Sequence, residues 1–485
     1  MNEPRTFDDA RTQADFCNDL MDIARLAYIY GFPPYEMTRL RLLAFGQPRS
    51  GKPARPNALL HARALTTPTT GRVTNTNADM LKSSAWLDLS RGPLAIHAPD
   101  AADRYYSLAL MDVFTNNFAV LGRRAAGAAA ADFFLVGPQW LGAAPMGMTM
   151  IRAPTNAVWA LVRIMVDGPD ELPAVHALQD QFSISAPSGP VSETAPASLD
   201  PLSPPASSFD SGKPLAFFDV LNVVLTENPP PARDKAVLDR LRTIGVGPSL
   251  RFNRPDFTPP QLDALRRGLA SAREAIRGQS GLRPNGPPPA GPSHWPSDAL
   301  LAQLRGSTSA SPAQTPGARR AGWSRPDPAV GNFGADYLLR ARCALRGIGG
   351  LPCEEAMYFI AVTDAAGAAL NGRHRYVLGF PPAGEPPVGA YWSLTAYWMD
   401  EDNRRWLVPN EINRYSIGNH TPGLRHGADG ALEISIQRDR PTVDDENWLP
   451  APEGRFVLNL RAYQPRLELR DGRYAIPEVR RRSLS

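Results

Sequence analysis

The stretch that decides the fold is residues 73–123, VTNTNADMLKSSAWLDLSRGPLAIHAPDAADRYYSLALMDVFTNNFAVLGR. Its runs WLDL (86–89), LAIHA (94–98) and YYSLALMDVF (105–114) have the length of β-strands and are bounded by residues that favour turns. Polar side chains occur along the same runs, and an unpaired buried polar group costs about 1–3 kcal/mol. These side chains therefore form either a structural network or a site; they are Asn77, Asp79, Asp88, Arg104, Tyr105, Tyr106, Asp112, Asn116, Asn117 and Arg123.

Outward from this stretch, strand-length apolar runs and helical patterns occur in separate blocks. Further strands are predicted at 148–153 and 157–166, and a second group of alternating strands between 354 and 465. Apolar residues at three- and four-residue spacing predict helices. These cover 10–45, interrupted at Gly31-Phe32-Pro33-Pro34, and 215–225, 234–247 and 258–278. We expect an α+β, β-rich fold: two mainly antiparallel β-sandwich-like domains with an intervening helical region.

Two blocks of motifs resemble known families. The motifs VTNTNADMLKSSAWLDLSRGPLAI, DAADRYYSLALMDVFTNNFAVLGRR and FFLVGPQW within 73–182 resemble the DUF1254 domain. The motifs YWSLTAY, VPNEINRYSIGN, DENWLPAP and LNLRAYQP within 355–480 resemble the DUF1214 domain. The resemblance implies paired β-rich domains with an inserted helical part, in relatives that are often exported, and it implies no particular activity. Relatives generally read Asn-x-Asp-Thr-Leu-Tyr where this chain has Met80 and Lys82 after Asp79.

Composition suggests where the domains end. Two segments rich in Pro, Ser, Ala and Gly separate the structured blocks, and such composition buries little apolar surface. The expected order is an N-terminal helix plus DUF1254-like β domain (1–183), a Pro/Ser-rich connector (184–214), a helical region (215–278), a Pro/Gly/Ser-rich loop (279–330) and a DUF1214-like β-sandwich domain (331–485).

Charge and targeting signals exclude several classes of partner. Lys and Arg number 52 against 48 Asp and Glu, and this near balance does not indicate a nucleic-acid surface. The polar N-terminus lacks the basic and apolar regions of a signal peptide, and no apolar run of about 18 residues predicts a membrane span. Three widely separated cysteines without an export signal favour the cytoplasm. The sequence leaves homo-oligomer formation open.

No cofactor is expected from the motifs. Neither GxGxxG nor GxxxxGKS occurs, so a dinucleotide or phosphate-loop site lacks support. The histidines are scattered, without HxH, HExxH or an EF-hand loop, so no metal site is expected.

Asn77 and Asp79 form the first candidate pair. They lie two residues apart, and in a strand both side chains would point to one face. A carboxylate can accept a proton while the amide binds a substrate oxygen. The structural alternative is an Asx turn. Lys82 lies close enough in sequence to act on Asp79, or it is exposed.

Arg104, Tyr105 and Asp112 form the second candidate set. Asp112 falls on the same strand face as Tyr106, among apolar neighbours, so it needs a partner. Arg104 or Arg123 could be that partner. The set therefore serves either as structural pairing or in proton transfer.

The second half supplies candidates for binding. Aromatic, amide and guanidinium groups suit an amphipathic or sugar-like ligand, although the aromatics also suit a sandwich core. The substrate-binding candidates over the whole chain are Asn77, Asn116, Trp392, Tyr397, Asn410 and Arg414.

Two functional hypotheses follow. The first is an enzyme of hydrolase, lyase or isomerase type that needs neither metal nor nucleotide. It would use Asp79, Asp112, Arg104 and Tyr105 in acid–base chemistry on a small amphipathic organic molecule, in a pocket between the domains. The alternative is a noncatalytic protein that binds a small molecule or glycan, or acts in assembly. An enclosed carboxylate with a raised pKa favours the enzyme, and carboxylates neutralised by arginine favour the alternative.

Overall fold

The computed structural model describes residues 10–46, 55–70, 75–127, 129–187, 213–277, 322–400, 404–441 and 447–482. Most of the predicted connector and most of the predicted Pro/Gly/Ser-rich loop lie outside these residues.

The first half of the chain forms two sheets. Its strands are β1 Leu60–His61, β2 Met80–Asp88, β3 Leu94–Ala98, β4 Tyr106–Asp112, β5 Asn117–Gly122, β6 Ala131–Val136, β7 Thr149–Arg152, β8 Ala157–Met165 and β9 Ser183–Ser185. Sheet I has the order β1-β2-β8-β4-β5 and is antiparallel throughout. Sheet II has the order β7-β6-β3-β9, with β6 and β7 parallel. Alternate apolar side chains of both sheets, such as Leu81, Leu108 and Phe133, pack into one core.

The second half repeats this arrangement. Its strands are β10 Trp323–Ser324, β11 Ala356–Ala361, β12 Tyr376–Phe380, β13 Trp392–Met399, β14 Arg405–Leu407, β15 Ser416–Gly418, β16 Leu432–Gln437, β17 Asn447–Pro450, β18 Phe456–Tyr463 and β19 Val479–Arg481. Sheet III has the order β10-β11-β18-β13-β14, with β15 also on β13, and sheet IV the order β17-β16-β12-β19. Phe359, Leu394 and Ile434 belong to the core between them. The two pairs of sheets confirm the expected β-rich α+β fold.

The helices pack around a further hydrophobic core of their own. They are α1 Ala10–Gly46, α2 Arg123–Ala126, α3 Leu172–Gln181, α4 Ala216–Glu227, α5 Lys235–Arg242, α6 Pro259–Arg277, α7 Tyr337–Gly347 and α8 Leu467–Arg470. The long N-terminal helix α1 packs on α4, α5, α6 and α7, so it lies with the helices of the middle region.

The predicted interruption of α1 is wrong. The helix runs through Pro33 and Pro34, although one proline inside a helix costs about 3 kcal/mol. Tyr28, Tyr30 and Phe32 are buried in the helical core, and burial of each large apolar side chain contributes about 1.5–3 kcal/mol. Tertiary packing therefore outweighs the helix-breaking tendency of the prolines.

Gly268 allows α6 to approach α1 closely. A methyl group at this position would overlap the Met21 carbonyl oxygen and lie 2.8 Å from the Ala24 Cβ. Because the first contact involves backbone, no rotation of a side chain could relieve it. Glycine is required here for packing and not for a special backbone angle.

Candidate functional site

Sheet I of the first half and sheet III of the second half face each other, and we call the space between these surfaces the junction. An apolar cluster joins them, formed by Met80, Tyr105, Ala109 and Met165 with Leu351, Ala356, Tyr391 and Tyr463. The domains therefore meet through their sheets, and the junction is where side chains of both halves can act together.

Each sheet presents a polar row to the junction. Lys82 of β2 lies opposite Arg163 of β8, which lies opposite Ser107 of β4. In sheet III, Arg461 of β18 lies between Tyr358 of β11 and Ser393 of β13. Side chains that lie opposite each other across a ladder share one face of the sheet. The two rows consequently bring cationic and hydroxyl groups into one enclosed region.

Asn77 and Asp79 lie at the edge of the junction, just before β2. The Asn77 amide donates to the Tyr463 hydroxyl over 2.7 Å, and its oxygen accepts from the Asp79 backbone N–H over 2.7 Å. The second bond is an Asx turn. Asp79 Oδ1 accepts from the Tyr391 hydroxyl over 3.3 Å. Asp79 Oδ2 is buried and has no hydrogen-bond partner among the described residues. This pair is thus held against aromatic residues of the second half.

Lys82 is half-buried inside the junction. Burial lowers the pKa of its ammonium to about 7, with Arg163 and Arg461 adding to the effect and Asp79 opposing it. A lysine with this pKa is partly an unprotonated amine at neutral pH and can accept a proton. The sequence shows Lys82 beside Asp79 but does not predict this low pKa. The arginine opposite Lys82 lies on β8, a strand that neighbours β2 in space but is distant from it in sequence.

Tyr397 lies in the junction, where it links the segment before β2 to sheet III. Its hydroxyl donates to the Thr76 carbonyl oxygen over 2.5 Å and accepts from the Arg461 guanidinium over 2.6 Å. Arg461 also donates to the Asn75 carbonyl oxygen over 3.1 Å and to the Thr395 hydroxyl over 3.0 Å. These bonds fix the segment that leads to Asp79 against sheet III.

Tyr105 lies in the junction, whereas Arg104 turns to its edge. The Tyr105 hydroxyl donates to Glu355 over 2.8 Å, and Glu355 also accepts from Arg124 over 2.7 Å. Burial and then Glu355 hold the pKa of Tyr105 well above its usual range, so it remains a hydrogen-bond donor. Arg104 forms a two-bond ion pair with Glu171, at 2.7 and 3.1 Å.

Asp112 and Asn116 lie outside the junction. Asp112 ends β4, roughly 20 Å along the strand from Tyr106. Its carboxylate accepts from the Asn116 backbone N–H over 2.8 Å and from the Asn116 amide over 3.0 Å. Burial raises the pKa of Asp112, and the bonds from Asn116 oppose the rise. The expected arginine partner is wrong: Arg104 pairs with Glu171, and Arg123 with Asp103 over 3.0 Å.

Among the described residues, no hydrogen bond or ion pair joins Trp392, Asn410 or Arg414 to Asp79. The Trp392 ring lies on the opposite face of β13, where it packs on Phe380 in the core and donates to Glu385 over 3.0 Å. Asn410 and Arg414 bond to each other within one loop. Arg414 also donates to the carbonyl oxygen of Trp448 over 3.0 Å. The side chains of β13 that face the junction are its odd-numbered members.

The sequence contained a signal for the residues that were missed. In β18, polar or aromatic groups recur at every second position, and this alternation places Asn459, Arg461 and Tyr463 on one face. Tyr391, Ser393 and Thr395 repeat the pattern at β13, in alternation with the candidate Tyr397. Arg163 had no such signal, since it is a single charge within the apolar run of β8.

Other parts of the described structure offer fewer functional groups for binding or catalysis. A small cleft lies within the first half, and its lining is apolar apart from His97 and Ser183. His97 is already paired with Asp132 over 2.8 Å. Across the described ranges, no three His, Cys, Asp or Glu side chains are grouped to hold a metal ion, and no helix is long and apolar enough to cross a membrane.

Comparison with known proteins identifies two domains. The model of the DUF1254 family matches residues 56–186, and the model of the DUF1214 family matches residues 355–467. Both families are described as proteins of unknown function. These matches confirm the resemblance seen in the motifs. None of the curated proteins matches the chain.

Two solved structures are similar over nearly the whole chain. The VPA0106 protein from Vibrio parahaemolyticus is 24% identical, with a TM-score of 0.64, and the match covers 96% of this chain and 100% of that one. An uncharacterized protein from Burkholderia cenocepacia is 13% identical, with a TM-score of 0.42, and the match covers 97% of this chain and 96% of that one. The likeness to the first shows a shared fold.

Proposed function

Because the chain belongs to the two-domain family that carries DUF1254 and DUF1214 together, whose function is unknown, we propose a function from the junction itself. The protein is an acid–base enzyme that acts on a small amphipathic organic molecule between its two halves, with Asp79 as the proton-transferring group. One observation carries the proposal. Asp79 is held by Tyr391 through one carboxylate oxygen, while the other oxygen is buried without a partner among the described residues.

The surroundings of Asp79 suit proton transfer. Burial, followed by Asp79 itself, holds the pKa of Tyr391 well above its usual range, so Tyr391 stays protonated and orients the carboxylate. The free oxygen can then accept a proton from a bound molecule or return one. Lys82, with a pKa of about 7, is a second group that can exchange protons near neutral pH.

The same region is rich in apolar side chains. Tyr391 stacks on Tyr463 with ring centroids 4.3 Å apart, and Tyr105 packs against both rings. Met80 and Met165 lie in the same cluster. Apolar rings beside a few polar groups are typical of sites for amphipathic molecules.

A second candidate, a noncatalytic binding or assembly protein, has one observation in its favour. Each of the other carboxylates at or beside the junction is paired with a basic side chain, Glu355 with Arg124, Glu171 with Arg104, and Asp167 with His420 over 3.0 Å. Asp79 has no ion pair of this kind among the described residues, and for that reason we place the enzyme first.

Metabolite turnover tests the proposal. Purified wild-type protein, Asp79→Asn and the control Asp239→Asn are incubated with mixtures of small amphipathic metabolites, and consumption is followed by mass spectrometry. Asp239 is an exposed carboxylate on α5, where it pairs with Lys235. We expect wild type and control to consume the same compound, and Asp79→Asn to be slower by about 10²–10⁴-fold with its fold intact.

Two results would contradict the proposal. Folded Asp79→Asn that turns over at the wild-type rate would remove Asp79 from the chemistry. Wild-type protein that binds a compound from the mixture without converting it would favour the noncatalytic candidate.

A further inference from the structure

The junction holds more positive than negative charge. Lys82 and Arg163 lie directly opposite each other on neighbouring strands, an arrangement that is destabilising for like charges. Arg461 faces them from the other sheet, and its bonds go to neutral groups, the hydroxyls of Tyr397 and Thr395 and a backbone carbonyl. Asp79 is the one carboxylate that acts on Lys82 among the described residues. Three cations thus face a single carboxylate.

Two of these cations have donors without acceptors. Arg163 is 7% exposed; one of its terminal nitrogens donates to the Gly349 carbonyl oxygen over 2.5 Å. The other, Nη1, is buried and has no partner among the described residues. No hydrogen bond or ion pair joins the Lys82 ammonium to another described residue. A buried donor left unpaired, such as Arg163 Nη1, costs about 1–3 kcal/mol, and more when it is charged.

Hydroxyl groups surround the same place. Ser107 lies opposite Arg163, and its oxygen is buried without a partner in the described part of the chain. Tyr358 faces Arg163 from sheet III closely enough for Arg163 to lower its pKa, against the larger rise caused by burial. The Tyr358 oxygen accepts from the Leu351 backbone N–H over 3.4 Å, which leaves its proton available for donation.

We infer that the junction binds a small anion, a carboxylate or phosphate group, between Lys82 and Arg163, with Ser107 and Tyr358 as additional donors. Such a group offers negatively charged acceptor oxygens, satisfies the free N–H of Arg163 and neutralises the repulsion between the opposed cations. Water can accept some of these bonds, but it cannot neutralise the charge. The inference goes beyond the proposed function, because an anion can bind whether or not Asp79 transfers a proton.

Calorimetric titration of the full chain tests the inference. Sodium phosphate and sodium benzoate are titrated separately at fixed ionic strength, so that the two arms distinguish a phosphate from a carboxylate. Lys82→Met and Arg163→Gln each remove one proposed contact. Lys235→Met and Arg480→Gln are matched controls, because both residues are exposed.

We expect saturable one-site binding of at least one probe, weakened at least about tenfold in Lys82→Met and in Arg163→Gln and unchanged in the controls. If Arg163→Gln does not fold, Lys82→Met decides, since it removes a group that bonds to no other described residue. No saturable binding by wild type, or equal binding by Lys82→Met, overturns the inference. Asp79→Asn should still bind the anion. Anion binding can therefore fail or succeed independently of the proposal that Asp79 transfers a proton.

Discussion

Replacing Lys82 by methionine should remove a pH dependence of stability between pH 7 and pH 9. The pKa of Lys82 is about 7 in the folded protein, against an ordinary value of 10.5. In this window the unfolded chain binds a proton at Lys82 that the folded protein largely lacks, so the free energy of unfolding rises with pH. One proton corresponds to about 1.4 kcal/mol per pH unit. Because folded Lys82 is still half-protonated at pH 7, the difference is less than one full proton at the start of the window. Between pH 7 and pH 9 the free energy of unfolding of wild type should therefore rise by about 2 kcal/mol relative to that of Lys82→Met.

Urea unfolding at both pH values, without phosphate or carboxylate buffers, measures this difference. Wild type and variant share every other titrating group, so subtracting the variant from wild type isolates Lys82. Lys235→Met, which removes an exposed lysine, should follow the wild-type pH dependence. Equal pH slopes for wild type and Lys82→Met would show that Lys82 titrates normally, and the reasoning from its burial would be wrong.

Two further changes test the packing of the fold. Glu355→Ala leaves the buried Tyr105 hydroxyl without its acceptor and breaks an ion pair, so urea unfolding should show a loss of about 2 kcal/mol, whereas Asp103→Ala at an exposed pair should change nothing measurable. An unchanged midpoint for Glu355→Ala would contradict the contact. Gly268→Ala should destabilise by about 1–3 kcal/mol despite the better helix propensity of alanine, because the methyl group meets backbone of α1. Gly347→Ala, where the methyl group meets nothing within 4 Å, is its control, and a Gly268→Ala protein as stable as this control would refute the close approach.

Much of the fold was readable because each strand carries its own pattern. Apolar runs between turn residues predicted β3 at its exact bounds, Leu94–Ala98, and placed β8 within one residue of its observed end. The helix α1 was misjudged at its prolines because helix-breaking is a local property, whereas the burial that compensates for it is tertiary.

The site was less readable, and particular residues show why. Trp392 and Tyr391 are neighbours in sequence, yet only Tyr391 faces Asp79, because side chains alternate across a strand and the register decides which face is buried. Asp112 accepts its hydrogen bonds from Asn116, four residues away, and the arginines whose charge acts on it are Arg340 and Arg233, which are distant in sequence. The opposition of Lys82 and Arg163 depends on which strands pair, and single-strand patterns do not contain that information.

The central claim is that the junction binds a ligand and does not serve only to join the halves. A crystal structure of the full chain, grown with whichever of sodium phosphate and sodium benzoate binds in the titration, tests it most directly. We predict anion density within hydrogen-bond distance of Lys82 Nζ and Arg163 Nη1. A junction that contains only ordered water, or in which both groups bond directly to protein atoms, would contradict the claim.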